Sequence, residues 1–113
     1  MKIVEEQITI EELKEMASKM FGSLTKAVVD IEEGILVVDA GLHSDQEAYL
    51  LDRGSKQKDL WGINIHPELE GDERVEFDSM INLRPIEGNF SRGIDDVKIQ
   101  KKILDIVNSK IKE

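Results

Sequence analysis

Apolar residues recur along this chain with two different periods, and the switches between them mark out its elements. Ile10, Leu13, Met16, Ala17 and Met20 recur at helical spacing and form one stripe. Thr9 and Glu12 have the separation of a capping box, Ile8 and Leu13 that of a hydrophobic staple, and Gly22 supplies the exit. The stripe predicts a core-facing helix rather than a methionine docking surface. From Lys26 the period drops to two. Ala27, Val29 and Ile31 can face Leu36, Val38 and Ala40 across a hairpin turned by Glu32-Glu33-Gly34, with glycine where φ must be positive. The reverse side of this pair, with Lys26, Val28, Asp30, Val37 and Asp39, is half polar.

Ser44 and Glu47 repeat the capping-box spacing and predict a second helix through Ala48, Leu50 and Leu51 to about Arg53, with Gly54 beyond it. The stretch Leu60–Pro85 then predicts a second hairpin. Trp61, Ile63 and Ile65 alternate with Gly62, Asn64 and His66, while Val75, Phe77, Ile81 and Leu83 alternate with Glu76, Asp78, Asn82 and Arg84. One face of this hairpin is apolar and the other densely polar. A glycine-punctuated loop, Ile86–Gly93, follows. Asp95 opens the last helix, whose apolar face carries Ile99, Ile103, Leu104, Ile106, Val107 and Ile111. Asp95 and Asp96 at its start and Lys110 and Lys112 at its end complement the macrodipole.

The order of elements, helix, hairpin, helix, hairpin, helix, predicts an α+β fold. It consists of a small antiparallel or mixed sheet of four strands, five if Lys2–Val4 joins, built from two hairpins and packed on one side against about three helices. Residues 1–113 read as one domain, with no internal linker, repeat or low-complexity segment.

Composition narrows the function classes. There are 24 acidic against 15 basic residues, a net charge of −9, so a phosphate backbone is repelled and nucleic acid is an unlikely partner. The chain has no cysteine, which removes disulfides and thiolate chemistry and suits a reducing, cytoplasmic setting. The longest uninterrupted apolar run, Ile35–Val38, is far too short to cross a bilayer, and the acidic turn in MKIVEEQ does not suit a signal peptide.

Three segments carry a resemblance: DLWGINIHP at Asp59–Pro67, FDSMINLRP at Phe77–Pro85 and GNFSRG at Gly88–Gly93. Together with LHSDQEAYLLDRGSKQ at Leu42–Gln57, they make the chain similar to a family of small prokaryotic proteins of unknown function. The resemblance brings no activity, substrate or cofactor with it. It implies an aromatic residue where this chain has His66, which weakens His66 as an essential chemical group.

Three constellations are left to weigh. On the polar face of the second hairpin, Asn64 opposite Glu76 and Gly62 opposite Asp78 would set two carboxylates, an amide and Arg84 on one surface. The plainer reading is a solvated sheet face of cross-strand pairs. Asp39, His43, Asp45 and Glu47 could ligate zinc or manganese, but capping and the macrodipole already explain Asp45 and Glu47. The loop with Arg84, Asn89, Ser91 and Arg92 could clamp a carboxylate or phosphate, or its arginines could pair with the chain's own acids. Walker A, dinucleotide, GxSxG and HExxH spacings are absent.

The sequence therefore points to a non-enzymatic binding or interaction domain without a cofactor. Asn64, Glu76, Asp78, Arg84, Asn89, Ser91 and Arg92 would meet a small ligand or a protein. Two other classes stay open. One is a metal-assisted hydrolase using Glu76, Asp78, Asp39 and His43; the other is a structural homo-oligomer.

Overall fold

Thr9 opens the first helix as its spacing predicts. In the computed structural model, which describes residues 1–113, its hydroxyl accepts the Glu12 N–H at 3.1 Å and α1 runs Ile10–Met20. Gly22 takes a positive φ just beyond it. The first hairpin is also as expected: β3 (Thr25–Asp30) pairs with β4 (Ile35–Val38), Ala27 opposite Val38 and Val29 opposite Leu36. The turn is held by Asp30, whose Oδ1 accepts the Glu32 and Glu33 N–H groups at 2.9 and 3.0 Å.

β1 (Lys2–Val4) adds to the far side of β4, and β5 (Leu60–Ile65) pairs with β3 along its whole length. β6 (Val75–Glu76) completes a five-stranded sheet in the order β1-β4-β3-β5-β6, antiparallel throughout. A separate parallel pair that the hydrophobic pattern did not foretell joins β2 (Ile8–Thr9) to β7 (Ile111–Lys112), tying the two ends of the chain together. Lys110 reinforces that tie, its ammonium donating to the Glu5 carbonyl at 2.7 Å.

The helices do not share one side. α1 and α3 (Val97–Lys110) cover the face formed by Ala27, Val29, Leu36, Val38, Trp61, Ile63 and Ile65, meeting it with Ile10, Leu13, Ile103 and Val107. α2 (His43–Asp52) lies on the reverse face, where Leu50 packs with Val28, Val37 and Leu60. Two valines on a face otherwise half polar are the reason, because burying them requires cover. No helix is long and apolar enough to cross a membrane.

Helix starts differ in detail. α2 begins at His43, one residue before the expected Ser44 cap, and Leu42 at its N-cap provides no side-chain hydrogen bond. Asp96, not Asp95, caps α3, accepting the Lys98 N–H at 2.8 Å. Asp95 turns back into the preceding loop, where it accepts from the Phe90 N–H and the Ser91 hydroxyl, both at 2.8 Å.

The largest departure concerns the second hairpin. Its far strand stops after Glu76, and the chain then forms two short 3-10 turns, Met80–Asn82 and Pro85–Glu87. Asp78 is therefore not paired with Gly62. Ser79 takes that place, close enough that a β-carbon on Gly62 would lie 2.6 Å from the Ser79 Cβ. Side chains do there what a strand would have done. Asn82 bonds both backbone groups of Gly62, and Arg84 donates to the Leu60 carbonyl, so the edge of β5 is sealed by an amide and a guanidinium.

Candidate functional site

The segment Asp78–Asp95 wraps the edge of β5 and carries most of the residues singled out by the sequence. Its inner side is a polar lattice. Asn82 is fully buried, and its Nδ2 donates to the carbonyls of Gly62 and Arg92 at 2.9 and 3.0 Å. Asn89, 4% exposed, donates to the carbonyls of Asn82, Ser91 and Gly93 and accepts the Asp95 N–H at 2.8 Å. Arg84, 7% exposed, donates to the carbonyls of Ile81, Gln57 and Leu60, and its guanidinium lies 4.3 Å from the centre of the Trp61 ring. Burial lowers its pKa, and with no carboxylate hydrogen-bonded to it the cation is held by carbonyl dipoles and the indole face. Arg84 and Asn89 thus face inward and shape the loop.

Its outer side is apolar. Ile86 is fully exposed, Phe90 is 70% and Met80 62% exposed, and Leu83 also stands in water. Arg84 and Asn89 bridge the loop as an antiparallel pair, and Gly88, at φ 86°, closes the turn between them. Pro85 sets the first position of that turn, so the tip at Ile86 is narrow and stiff.

The predicted opposition of Asn64 and Glu76 is present. Asn64 Nδ2 donates to Glu76 Oε1 at 3.0 Å, and His66 Nε2 lies 3.1 Å from the same oxygen. These two donors, His66 first, hold the Glu76 carboxyl below its ordinary range against a smaller opposing effect of burial. Asn64 Oδ1 is buried without a partner. Asp78 instead binds Arg92, its Oδ1 accepting from Nε at 2.7 Å. Hydrogen bonds from the Phe90 amide and Ser91 hydroxyl also lower the Asp95 pKa.

The metal constellation does not assemble. Asp39, at φ 66°, lines a groove with Glu12, Glu15 and Lys19 beside α1, whereas His43 opens α2 and lines a different cleft with Lys26 and Arg92. No three His, Asp or Glu side chains are placed to share a cation.

The sequence offers His43 as a metal ligand, and its surroundings are different. It is 6% exposed, and its Nε2 lies 2.7 Å from the Ile63 carbonyl. Desolvation lowers its pKa; the Ile63 carbonyl opposes this, and Lys26, Asp78 and Arg92 act from nearby. With Lys26, Ser44, Ser79 and Arg92 it lines a cleft of about 150 Å³. The signal in sequence was faint, because Lys26 and Arg92 lie far apart along the chain and only the sheet joins them.

No curated protein and no solved structure matches the chain. A family model described as protein of unknown function (DUF5674) matches residues 2–110, and the chain belongs to that family.

Proposed function

We propose that this chain is a non-enzymatic interaction domain whose loop Met80–Phe90 docks on a partner protein. One observation carries the reading: four large apolar side chains, Met80, Leu83, Ile86 and Phe90, stand in water on a loop whose polar groups are taken up internally. A solvent loop needs neither feature. A binding loop benefits from both, since apolar groups supply association energy and a pre-ordered backbone loses little entropy on binding. The carboxylates nearby, Glu76 with His66 and Asp78 with Arg92, are engaged in ion pairs, which supports binding over catalysis.

Charge supports the kind of partner. Glu87 lies beside the tip, Asp95 and Asp96 follow, and the chain carries −9, so a partner with apolar side chains rimmed by Lys and Arg is favoured over a second acidic copy. Asp78, Ser91 and Arg92 would form the polar border of the contact.

Photo-crosslinking tests this. A benzophenone side chain at position 86 or 90 should give a single heteromeric adduct, and the same group at Lys101 on α3 should give none. Unlabelled chain should compete the adduct away, and the Ile86→Asp chain should not. Equal adducts from position 101, or none from the loop, would remove the proposal; a self-adduct would replace the partner with a second copy.

A further inference from the structure

We infer that the cleft between the start of α2 and the segment Asp78–Arg92 binds a small oxyanion that also carries a hydroxyl group, as phosphate does. The cleft adjoins the docking loop, with Met80 and Arg92 at the shared edge, and lies apart from the tip at Ile86; anion binding there does not rest on that loop's docking role.

Size comes first. The cleft, about 150 Å³, is well under the roughly 300–1,000 Å³ of sites for larger organic ligands, so an ion-sized occupant fits it. Its electrostatics run against the chain as a whole. In a protein of net charge −9, Lys26 and Arg92 meet here. Lys26 forms no ion pair, its ammonium lying over the Phe21 ring at 5.3 Å. Arg92 spends only Nε on Asp78, which leaves both terminal amino groups free to donate. Asp78 offsets one of the two cations, and one positive charge remains uncompensated.

Neutral donors converge on the same place. Leu42 gives α2 no side-chain cap, and the backbone N–H groups of His43 and Ser44 have no partner in the chain. The Ser79 hydroxyl accepts the Ile81 N–H at 3.2 Å, so its own proton is available to donate.

His43 selects among anions. A carbonyl oxygen only accepts, so the 2.7 Å contact with Ile63 places the proton of the neutral ring on Nε2. Nδ1 is then a lone pair without a protein partner on a side chain that is more than nine-tenths buried and lines the cleft. A bare anion leaves that lone pair unsatisfied. Hydrogen phosphate satisfies it with its O–H while its other oxygens accept from Lys26, Arg92 and the helix amides; sulfate at neutral pH has no such proton.

The test is an NMR titration of the full chain with sodium phosphate, sodium sulfate and sodium chloride at matched ionic strength. Phosphate should shift the His43 and Ser44 amides saturably. Sulfate should bind about tenfold more weakly, and Lys26→Met or Arg92→Gln should each weaken phosphate by about tenfold, the value of one charge-assisted hydrogen bond. His43→Leu, which offers no acceptor to the anion, should erase the preference for phosphate over sulfate. Shifts that never saturate, or that match those from chloride, would overturn the site. Unchanged affinity in a Lys26→Met/Arg92→Gln chain with an otherwise native spectrum would do the same. Equal affinity for phosphate and sulfate would overturn the role given to the hydroxyl.

Discussion

The side chain of Asn82 takes the place of a β-strand against Gly62: its Oδ1 accepts the Gly62 N–H at 2.8 Å and its Nδ2 donates to the Gly62 carbonyl at 2.9 Å. An amide side chain has the donor and acceptor of a peptide group, so one residue can continue a ladder that the backbone has left. The same Nδ2 also reaches the Arg92 carbonyl, joining both ends of the wrapping segment to the sheet. In Asn82→Ala the two buried backbone groups of Gly62 lose their partner, each costing about 1–3 kcal/mol, while the Arg92 carbonyl keeps the Ser79 N–H at 2.9 Å. We expect denaturant unfolding to show a loss of about 2 kcal/mol or more. A loss under about 1 kcal/mol would mean that water replaces the amide freely.

Gly62 is fixed by contact rather than by backbone conformation. Its φ is not positive, yet an added Cβ would meet the Ser79 Cβ and Oγ at 2.6 Å. Gly62→Ala should therefore destabilise by about 1–3 kcal/mol, as overpacking does. Ser79→Gly in the same chain should recover part of that loss. If the two changes are simply additive in a double-mutant cycle, the contact is not the cause.

Arg84 is a case where lysine is no substitute. Its guanidinium reaches three carbonyls, one in its own turn and two in the Gln57–Leu60 stretch, and stacks on Trp61; an ammonium has the charge but neither the fork nor the plane. Arg84→Lys should cost about 2 kcal/mol and change the emission of Trp61, the sole tryptophan. In contrast, Ile86→Asp at the exposed tip should change stability by no more than about 0.5 kcal/mol. A large loss on Ile86→Asp would show that the tip is packed rather than displayed.

Much of this fold is readable in the chain because it rests on local periodicity. Thr9 with Glu12, Gly34 in its turn, and the alternation of β3, β4 and β5 are set by neighbours within a few residues. The segment after Glu76 misleads for a definite reason. Ile81 and Leu83 alternate with Asn82 and Arg84 at strand period, and Asn82 and Arg84 do bond the edge of β5, but through side chains. Whether a polar residue seals an edge or faces water depends on an unpaired edge elsewhere, which no local pattern records. The side taken by α2 was written more plainly, in Val28 and Val37 on a face otherwise half polar. Asp95 and Asp96 are equivalent as caps by type; the amide of Phe90, five residues back from Asp95, decides between them. For the candidate site, the Asn64–Glu76 opposition follows from register. The approach of Lys26, His43 and Arg92 needs the assembled sheet.

Acid should act on this protein in two separable steps. His43 is held neutral by desolvation, so its folded pKa lies below that of the unfolded chain, near 6.5. Below that pH the unfolded state binds the proton first, and stability falls as pH drops from about 6.5 through the depressed folded value. Lys26 and Arg92 oppose protonation of the ring while Asp78 and the Ile63 carbonyl favour it, and burial outweighs both. Glu76 acts lower. Its carboxylate is held down by His66 and Asn64, so the stability it provides is complete above the unfolded value of 4.5 and is lost as pH falls through its folded pKa. Thermal melts from pH 7.5 to 3 should show Tm falling first below about 6.5 and again below about 4.5. His43→Gln should flatten the upper step alone, and Glu76→Gln should shrink the lower one, to which Asp95 also contributes. An upper step that survives His43→Gln would assign that proton elsewhere and end the case for a buried neutral imidazole under α2.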